Sequence, residues 1–438
     1  MRARLRKSTV LALACCGIAL MGPTTVSATG PARPAASPFL GGVNTADMGF
    51  QSTPADADRT ISVSRRLHAK IIRVELPWSV LEPRAAGKLD PHALAYTDRL
   101  LSDAAANGIG VIAMIDSTPC WATSAPAQLR GACVPGQSNR ASGWPPANPA
   151  DFAALVRSLA ERYGNRIMAL EVWNEPDQAN EKYFAGPHKP ERYAAILRAA
   201  YVAVKQVAPG IKVLGGSLVG PNGVFLRLLY KAGIKGYYDG LAIHFYTLSL
   251  AAVRATRAVQ AANGDTAPLW LDEFGWPACY PRQKIEQEQA CVTPSVQARN
   301  ITNIFRALAG TNYVAAAALY EQQDKGNAFG VLTRSGSHRP SFSALAHVLA
   351  SPTGQLSPVT LQVRKVGGRV IASGSGPIGD FMQLEVFRGS VLRYRAVFTL
   401  DRFNRYSIKL PRVLGSRGLR IRVYQYWTGV RRAAHKSI

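Results

Sequence analysis

Two glutamates stand where apolar runs of this chain stop. Residues 167–177 read IMALEVWNEPD: an apolar run carries Trp173, Asn174 and Glu175 to its end, and Pro176 forbids the run from continuing as a strand. Residues 268–277 read PLWLDEFGWP and end a second run on Glu273. Paired carboxyl groups suit glycosidic-bond cleavage, in which one protonates the leaving oxygen and the other acts, ionised, beneath the sugar. Their separation is about 5 to 5.5 Å where the anomeric configuration is retained and about 6.5 to 9.5 Å where it is inverted. Two strand-end carboxylates can serve this chemistry only if their strands open onto one mouth.

The rest of the chain predicts such a mouth. Strand-like runs fall at 39–44, 70–76, 110–116, 167–173, 211–218, 240–246, 268–273 and 314–321. Between them lie segments of helical period, such as 150–163 with Phe152, Leu155, Val156 and Leu159, and 191–207 with Tyr193, Ile196, Leu197 and Ala200. Near-continuous apolar strands alternating with helices mean a parallel sheet covered on its faces. Eight such units favour a closed α/β barrel, the (β/α)8 TIM barrel, over residues 39–352. Chemistry then belongs at the carboxyl ends of the strands, where Asn44, Glu75, Asp116, Asn174, Glu175, His244, Glu273 and Glu321 fall. Strands four and seven lie across the mouth from one another, so Glu175 and Glu273 can face each other.

Past the barrel, residues 353–438 alternate polar and apolar with period two, as in 383–387 and 419–424, broken by Gly and Ser. That pattern predicts a small C-terminal antiparallel β-sandwich. About half of the net charge of +25 lies there, sixteen Lys and Arg against three acidic residues from 351 onward. An anionic partner, such as a phosphate-bearing wall polymer or an acidic glycan, and a merely soluble basic surface account for it equally well. The aromatic interleaving of a nucleic-acid binder is missing.

At the other end, Arg2, Arg4, Arg6 and Lys7 precede an apolar run at 10–21 and small residues with Val26 and Ala28 spaced for cleavage. This is the order of a secretory signal over 1–28, followed by a Pro- and Ala-rich linker over 29–38, and the run is too short to span a membrane. Export makes disulfides the natural state of the remaining Cys120, Cys133, Cys279 and Cys291. Of three connectivities, the sequence-local one, Cys120 with Cys133 and Cys279 with Cys291, closes two short loops on the strand-end face. The spacing is not that of a structural zinc site.

These motifs resemble those of the clan A glycoside hydrolases, families 39 and 5 among them, over residues 39–350 and most specifically over 143–177. The resemblance implies that Glu175 is the general acid/base and Glu273 the nucleophile. It implies that Asn174 binds the hydroxyl next to the scissile bond and that Arg73 of IIRVELPW supports the nucleophile. His244 and Tyr246 of LAIHFYT complete the set, with Tyr246 touching Glu273. Trp276 and Trp144 are the expected sugar-stacking platforms. Many members carry Trp at the end of strand eight, whereas this chain reads LYEQQD at 319–324, so the sugar floor differs.

The sequence thus points to a secreted or wall-associated retaining glycoside hydrolase that needs no metal or organic cofactor. Its expected partners are a carbohydrate polymer and, through the tail, an anionic envelope polymer. A transglycosylase would use the same residues with a sugar acceptor. A non-catalytic glycan- or wall-binding barrel is the rival of another class, against which both intact glutamates weigh. The sugar, the linkage and endo or exo action are not written in these motifs.

Overall fold

The alternation of strand and helix closes on itself. The computed structural model describes residues 38–45, 47–220, 223–246, 250–280, 291–377, 381–425 and 433–438. The expected export signal, and the linker through Ser37, lie outside the described residues. The eight barrel strands are β1 (Leu40–Asn44), β2 (Ile71–Glu75), β3 (Gly110–Ile115), β4 (Ala169–Val172), β5 (Lys212–Leu218), β6 (Gly240–Phe245), β7 (Leu269–Phe274) and β8 (Val314–Leu319). All pair in parallel and in sequence order, and β8 returns to β1 with Leu40 opposite Ala316 and Val43 opposite Leu319.

Both faces of each strand are covered, which is why the runs read as apolar without alternation. One face packs on the outer helices, where Phe152, Leu155, Tyr193 and Leu197 join the main core. The other face fills the barrel with Ile71, Ile112, Ala169, Leu214, Ala242, Trp270, Ala316 and Ala318. Gly240 makes room for the largest of these, since a Cβ there would sit 2.5 Å from Trp270 Nε1. Strand period two then dictates the next layer: Arg73 stands two residues above Ile71, Glu171 above Ala169 and Asp272 above Trp270. An apolar floor therefore carries a charged storey. Several helices that brace these strands start on a capping residue followed by proline, as in Asp90-Pro91, Asn148-Pro149 and Thr293-Pro294, whose side chains accept from the first free backbone amides. Each such cap contributes about 1 kcal/mol.

The tail forms two antiparallel sheets, as the period-two pattern predicts. One has the order β13 (Arg405–Lys409), β10 (Arg369–Ser375), β9 (Gln362–Val366); the other β12 (Val391–Phe398), β11 (Met382–Arg388), β14 (Arg420–Gln425), β15 (Ala434–Ser437). Val370, Ala372, Met382, Leu384, Val386, Ile421 and Val423 fill the space between them. The tail is stitched to the barrel helix Pro294–Ala309. Asn404 Nδ2 donates to Asn300 Oδ1 at 2.6 Å, Arg299 to the Phe403 carbonyl at 3.2 Å, and Arg306 to the Gln355 carbonyl at 2.7 Å. Asn303 exchanges two hydrogen bonds with Ser357, at 3.0 and 2.9 Å. Among the described residues no helix is long and apolar enough to cross a membrane.

Candidate active site

The exit of β4 is bent to aim a carboxylate. Trp173 and Glu175 both take positive φ, 72° and 42°, which costs roughly 1 to 3 kcal/mol apiece for residues other than glycine. Packing holds the bend. The Trp173 ring is fully buried between Phe152 and Phe184, and its Nε1 donates to the Tyr183 carbonyl at 2.7 Å. The Glu175 amide donates to the Ser217 carbonyl of β5 at 3.1 Å. Asp177 accepts from the amides of Val219 and Gly220 at 3.0 and 2.7 Å. Across the mouth, Gly275 lets the chain leaving β7 pass β8, because a Cβ there would lie 2.2 Å from the Tyr320 carbonyl oxygen.

Arg73 is the hub of the charged storey. Its guanidinium, 5 % exposed, donates to Glu171 (Nη2–Oε1 2.7 Å, Nε–Oε2 3.0 Å), to Glu273 Oε2 at 3.1 Å, to Asn44 Oδ1 at 3.1 Å and to Asn174 Oδ1 at 3.0 Å. It lies 3.4 Å from Asp272 Oδ2. Burial alone would raise the Glu171 carboxyl, but Arg73 overturns this and holds it low. Burial and the Glu171 charge push the Asp272 carboxyl well above the usual carboxylate range, opposed by Arg73 and His244. Because a guanidinium can only donate, Asn174 must turn its oxygen to Arg73, which leaves its NH2 group as the free donor. Tyr246 Oη donates to the other oxygen of Glu273, Oε1. The two oxygens of Glu273 are thus held by two different donors.

His244, 1 % exposed, bridges the two glutamates. Nδ1 lies 2.8 Å from Glu175 Oε1, and Nε2 lies 3.7 Å from Glu273 Oε2 and 4.0 Å from Asp272 Oδ1. Burial by itself would lower the imidazole pKa. The carboxylates of Glu273, Glu175 and Asp272 outweigh it and push the pKa up to about 10. Glu175 responds in the opposite sense: burial would raise it, yet the hydrogen bond and charge of His244 bring it below its ordinary value. In the resting site the pair carries one proton, on the imidazole. One carboxylate oxygen of Glu175, one of Glu273 and a His244 nitrogen all lie within 4.8 Å of one another.

Among the described residues, two donor sets are close enough to hold an ion, this one and Glu171 with His244 and Asp272. In the lower set both Glu171 oxygens already accept from Arg73, and in both the His244 cation shares the space. The positive charge is supplied by the chain itself.

A second acidic group occupies the ends of β1, β2, β3 and β8. Lys325 Nζ lies 2.8 Å from Asp47 Oδ2 and 3.6 Å from Glu321 Oε2. Glu75 and Asp116 sit side by side nearby. Glu321 is 1 % exposed, and burial, opposed in part by Lys325, raises its pKa from 4.5 to about 7. The native state therefore favours the protonated form, and the penalty for ionising it grows between pH 4.5 and about 7. Glu321→Gln is expected to stabilise the protein by about 1 to 3 kcal/mol at pH 8 and to change little at pH 4.5. Urea unfolding at the two pH values checks this, and equal destabilisation at both would mean that Lys325 needs the carboxylate.

The structure brings Arg73, Asn174, Glu175, His244, Tyr246 and Glu273 into one cluster. Trp144 is half-buried and lines a cleft beside it. Trp276 departs from expectation. It is 1 % exposed and packs edge-on against Phe274, so it offers no face to a sugar and serves the core. Cys120–Cys133 and Cys279–Cys291 are bonded in the local pairing. The sequence reading did not single out Glu171, Asp272 and Tyr183. The first two lie two residues beyond Ala169 and Trp270, which fill the barrel.

Residues 34–213, spanning β1 to the start of β5, match the family model for cellulase, glycosyl hydrolase family 5. Among curated proteins nothing matches. Similar solved structures include a GH39 enzyme from Xanthomonas axonopodis pv. citri, with 16 % identity and a TM-score of 0.53 over 86 % of this chain and 92 % of the other. A monomeric β-xylosidase from Caulobacter crescentus CB15 gives 15 % and 0.53 over 86 % and 95 %. A GH5_18 protein from Streptomyces cattleya gives 18 % and 0.53 over 74 % and 83 %. At these identities the structural likeness is one of fold. The match over residues 34–213 makes this part of the chain similar to glycosyl hydrolase family 5, and the barrel fold is shared with enzymes of families 5 and 39.

Proposed function

We propose that the chain is an exported, retaining glycosidase that cleaves β-type bonds in a poly- or oligosaccharide by double displacement. The observation that carries this reading is the approach of Glu175 and Glu273 oxygens to within 4.8 Å. That suits the retaining spacing of about 5 to 5.5 Å and leaves no room for the water an inverting enzyme holds between carboxyls about 6.5 to 9.5 Å apart. Glu273, its charge steadied by Arg73 and its orientation by Tyr246, attacks the anomeric carbon. The proton held by the His244–Glu175 pair passes through Glu175 to the leaving oxygen. Glu175 then takes a proton from water, which releases the sugar from Glu273 and returns the proton to the pair. The free NH2 of Asn174 is the donor for a hydroxyl next to the bond that breaks.

Export is supported by the N-terminal signal pattern and by the two disulfides. The basic tail is the part suited to an anionic envelope polymer, which would keep the barrel on its substrate. The deciding experiment is NMR of the first product formed from a panel of envelope and plant polysaccharides. Retention of the anomeric configuration is expected, and inversion would overturn the double displacement.

A further inference from the structure

A cleft of about 480 Å³ opens on the strand-end face of the barrel, lined by Glu75, Asp116, Trp144, Lys182 and Tyr183 among others. Resting on the glycosidase reading, we propose that this cleft is a subsite for an amino sugar, a hexosamine whose free ammonium group is taken by Glu75 and Asp116.

The acidic pair lacks a cation. Neither Glu75 nor Asp116 has an ion-pair partner within 4.0 Å among the described residues, and Lys325 is engaged by Asp47 and Glu321. Asp116 is 2 % exposed, and its Oδ1 accepts no hydrogen bond among the described residues. The basic residues of the rim point elsewhere: Arg140 is exposed, and exposed Lys182 donates to the Tyr183 hydroxyl at 2.8 Å. Burial raises the Asp116 carboxyl to about 6, and burial together with the Asp116 charge raises Glu75 well above its ordinary value. Burial thus disfavours the charged form of both groups, and an ammonium between them would supply the missing counter-charge.

A neutral sugar leaves a buried carboxylate without a counter-charge, which is costly in a desolvated site. An ammonium brings the charge and three donors together. An N-acetyl group offers no charge and a single N–H. The Trp144 and Tyr183 rings supply the apolar walls that a sugar face requires. The cleft shares the strand-end face with the glutamate pair, since Glu75 ends β2 two residues beyond Arg73, which donates to Glu273. The net charge of +25 does not oppose this, since exposed charges are screened beyond about 8 Å at physiological salt.

The test is calorimetric binding to the full chain carrying Glu273→Gln, which blocks turnover. At pH 6 the probes are the β-1,4 tetramers of glucosamine, of N-acetylglucosamine and of glucose. The glucosamine tetramer is expected to bind about tenfold or more tightly than the others, the scale of one desolvated charge pair. Adding Glu75→Gln and Asp116→Asn should reduce that preference to about twofold or less, with the unfolding temperature and the weak affinity for the glucose tetramer unchanged as a check on folding. Equal binding of all three probes, no binding of any, or a preference that survives the two substitutions overturns the proposal. These outcomes are separate from the glycosidase reading, which fails only if the wild-type chain cleaves no glycan.

Discussion

Glu273→Gly is expected to lower turnover about ten-thousand- to a million-fold, the scale of removing a nucleophile from a site whose groups act as a unit. Added azide should restore part of the rate and give a glycosyl azide of inverted configuration. Azide would fill the space left by the carboxylate and attack from the same side, while Glu175 still protonates the leaving group. Glu175→Gly should behave differently. With a good leaving group Glu273 still forms the covalent intermediate, azide attacks it from the opposite face, and the azide product retains the configuration. Two roles thus give two stereochemical signatures, which NMR of the products reads directly. The same stereochemistry from both variants would show that the roles are not divided as assigned. The reason for expecting so large an effect at Glu273 is its setting: one oxygen accepts from Arg73 at 3.1 Å and the other from Tyr246, which fixes the carboxylate in place.

Arg73→Met should be nearly as damaging, but through the fold as much as the chemistry. It removes the donor that holds Glu171, Glu273, Asn44 and Asn174 and leaves Glu171 and Glu273 without their guanidinium. Losing one side of a buried ion pair costs about 3 to 5 kcal/mol. Arg73→Lys is expected to recover little, because an ammonium cannot reproduce the fork that meets Glu171 with Nε and Nη2 together. Adding Glu171→Gln to Arg73→Met should restore part of the stability, since it removes the stranded charge, without restoring activity. Urea unfolding and kcat, measured in parallel, separate the two effects. An Arg73→Met protein as stable as wild type would show that Glu171 is protonated and that the hub is not one.

Much of this site was legible before any coordinates. Pro176 marks the end of one strand and a second apolar run stops at Glu273, so Glu175 and Glu273 declare themselves as strand-end carboxylates. Eight apolar runs alternating with segments of helical period leave few folds other than a closed barrel. The buried storey was less visible. Glu171 and Asp272 sit inside runs that read as apolar, and a single charge in such a run looks like noise until the strand is known to face the barrel axis. Trp276 misled for the converse reason. An aromatic beyond a strand tip suggests a platform, but which way its ring turns depends on the packing of Phe274, which no local pattern records. The proton on His244 is more distant still from the sequence, because it follows from three carboxylates brought together from β4 and β7.

The seam between the barrel and its tail bears on how the molecule comes apart. Asn300 and Asn303 lie on a barrel helix, are buried, and find hydrogen-bond partners in Asn404 and Ser357. A barrel cut free of its tail would expose a helix face built to be covered, with amides that have lost their partners. That helix also carries Gln297, whose amide donates to the Trp276 carbonyl at 2.8 Å, three residues beyond Glu273. The barrel and its tail lie in one compact unit, Pro38–Ile438. Through Gln297 the helix that the tail covers also holds the segment that follows Glu273.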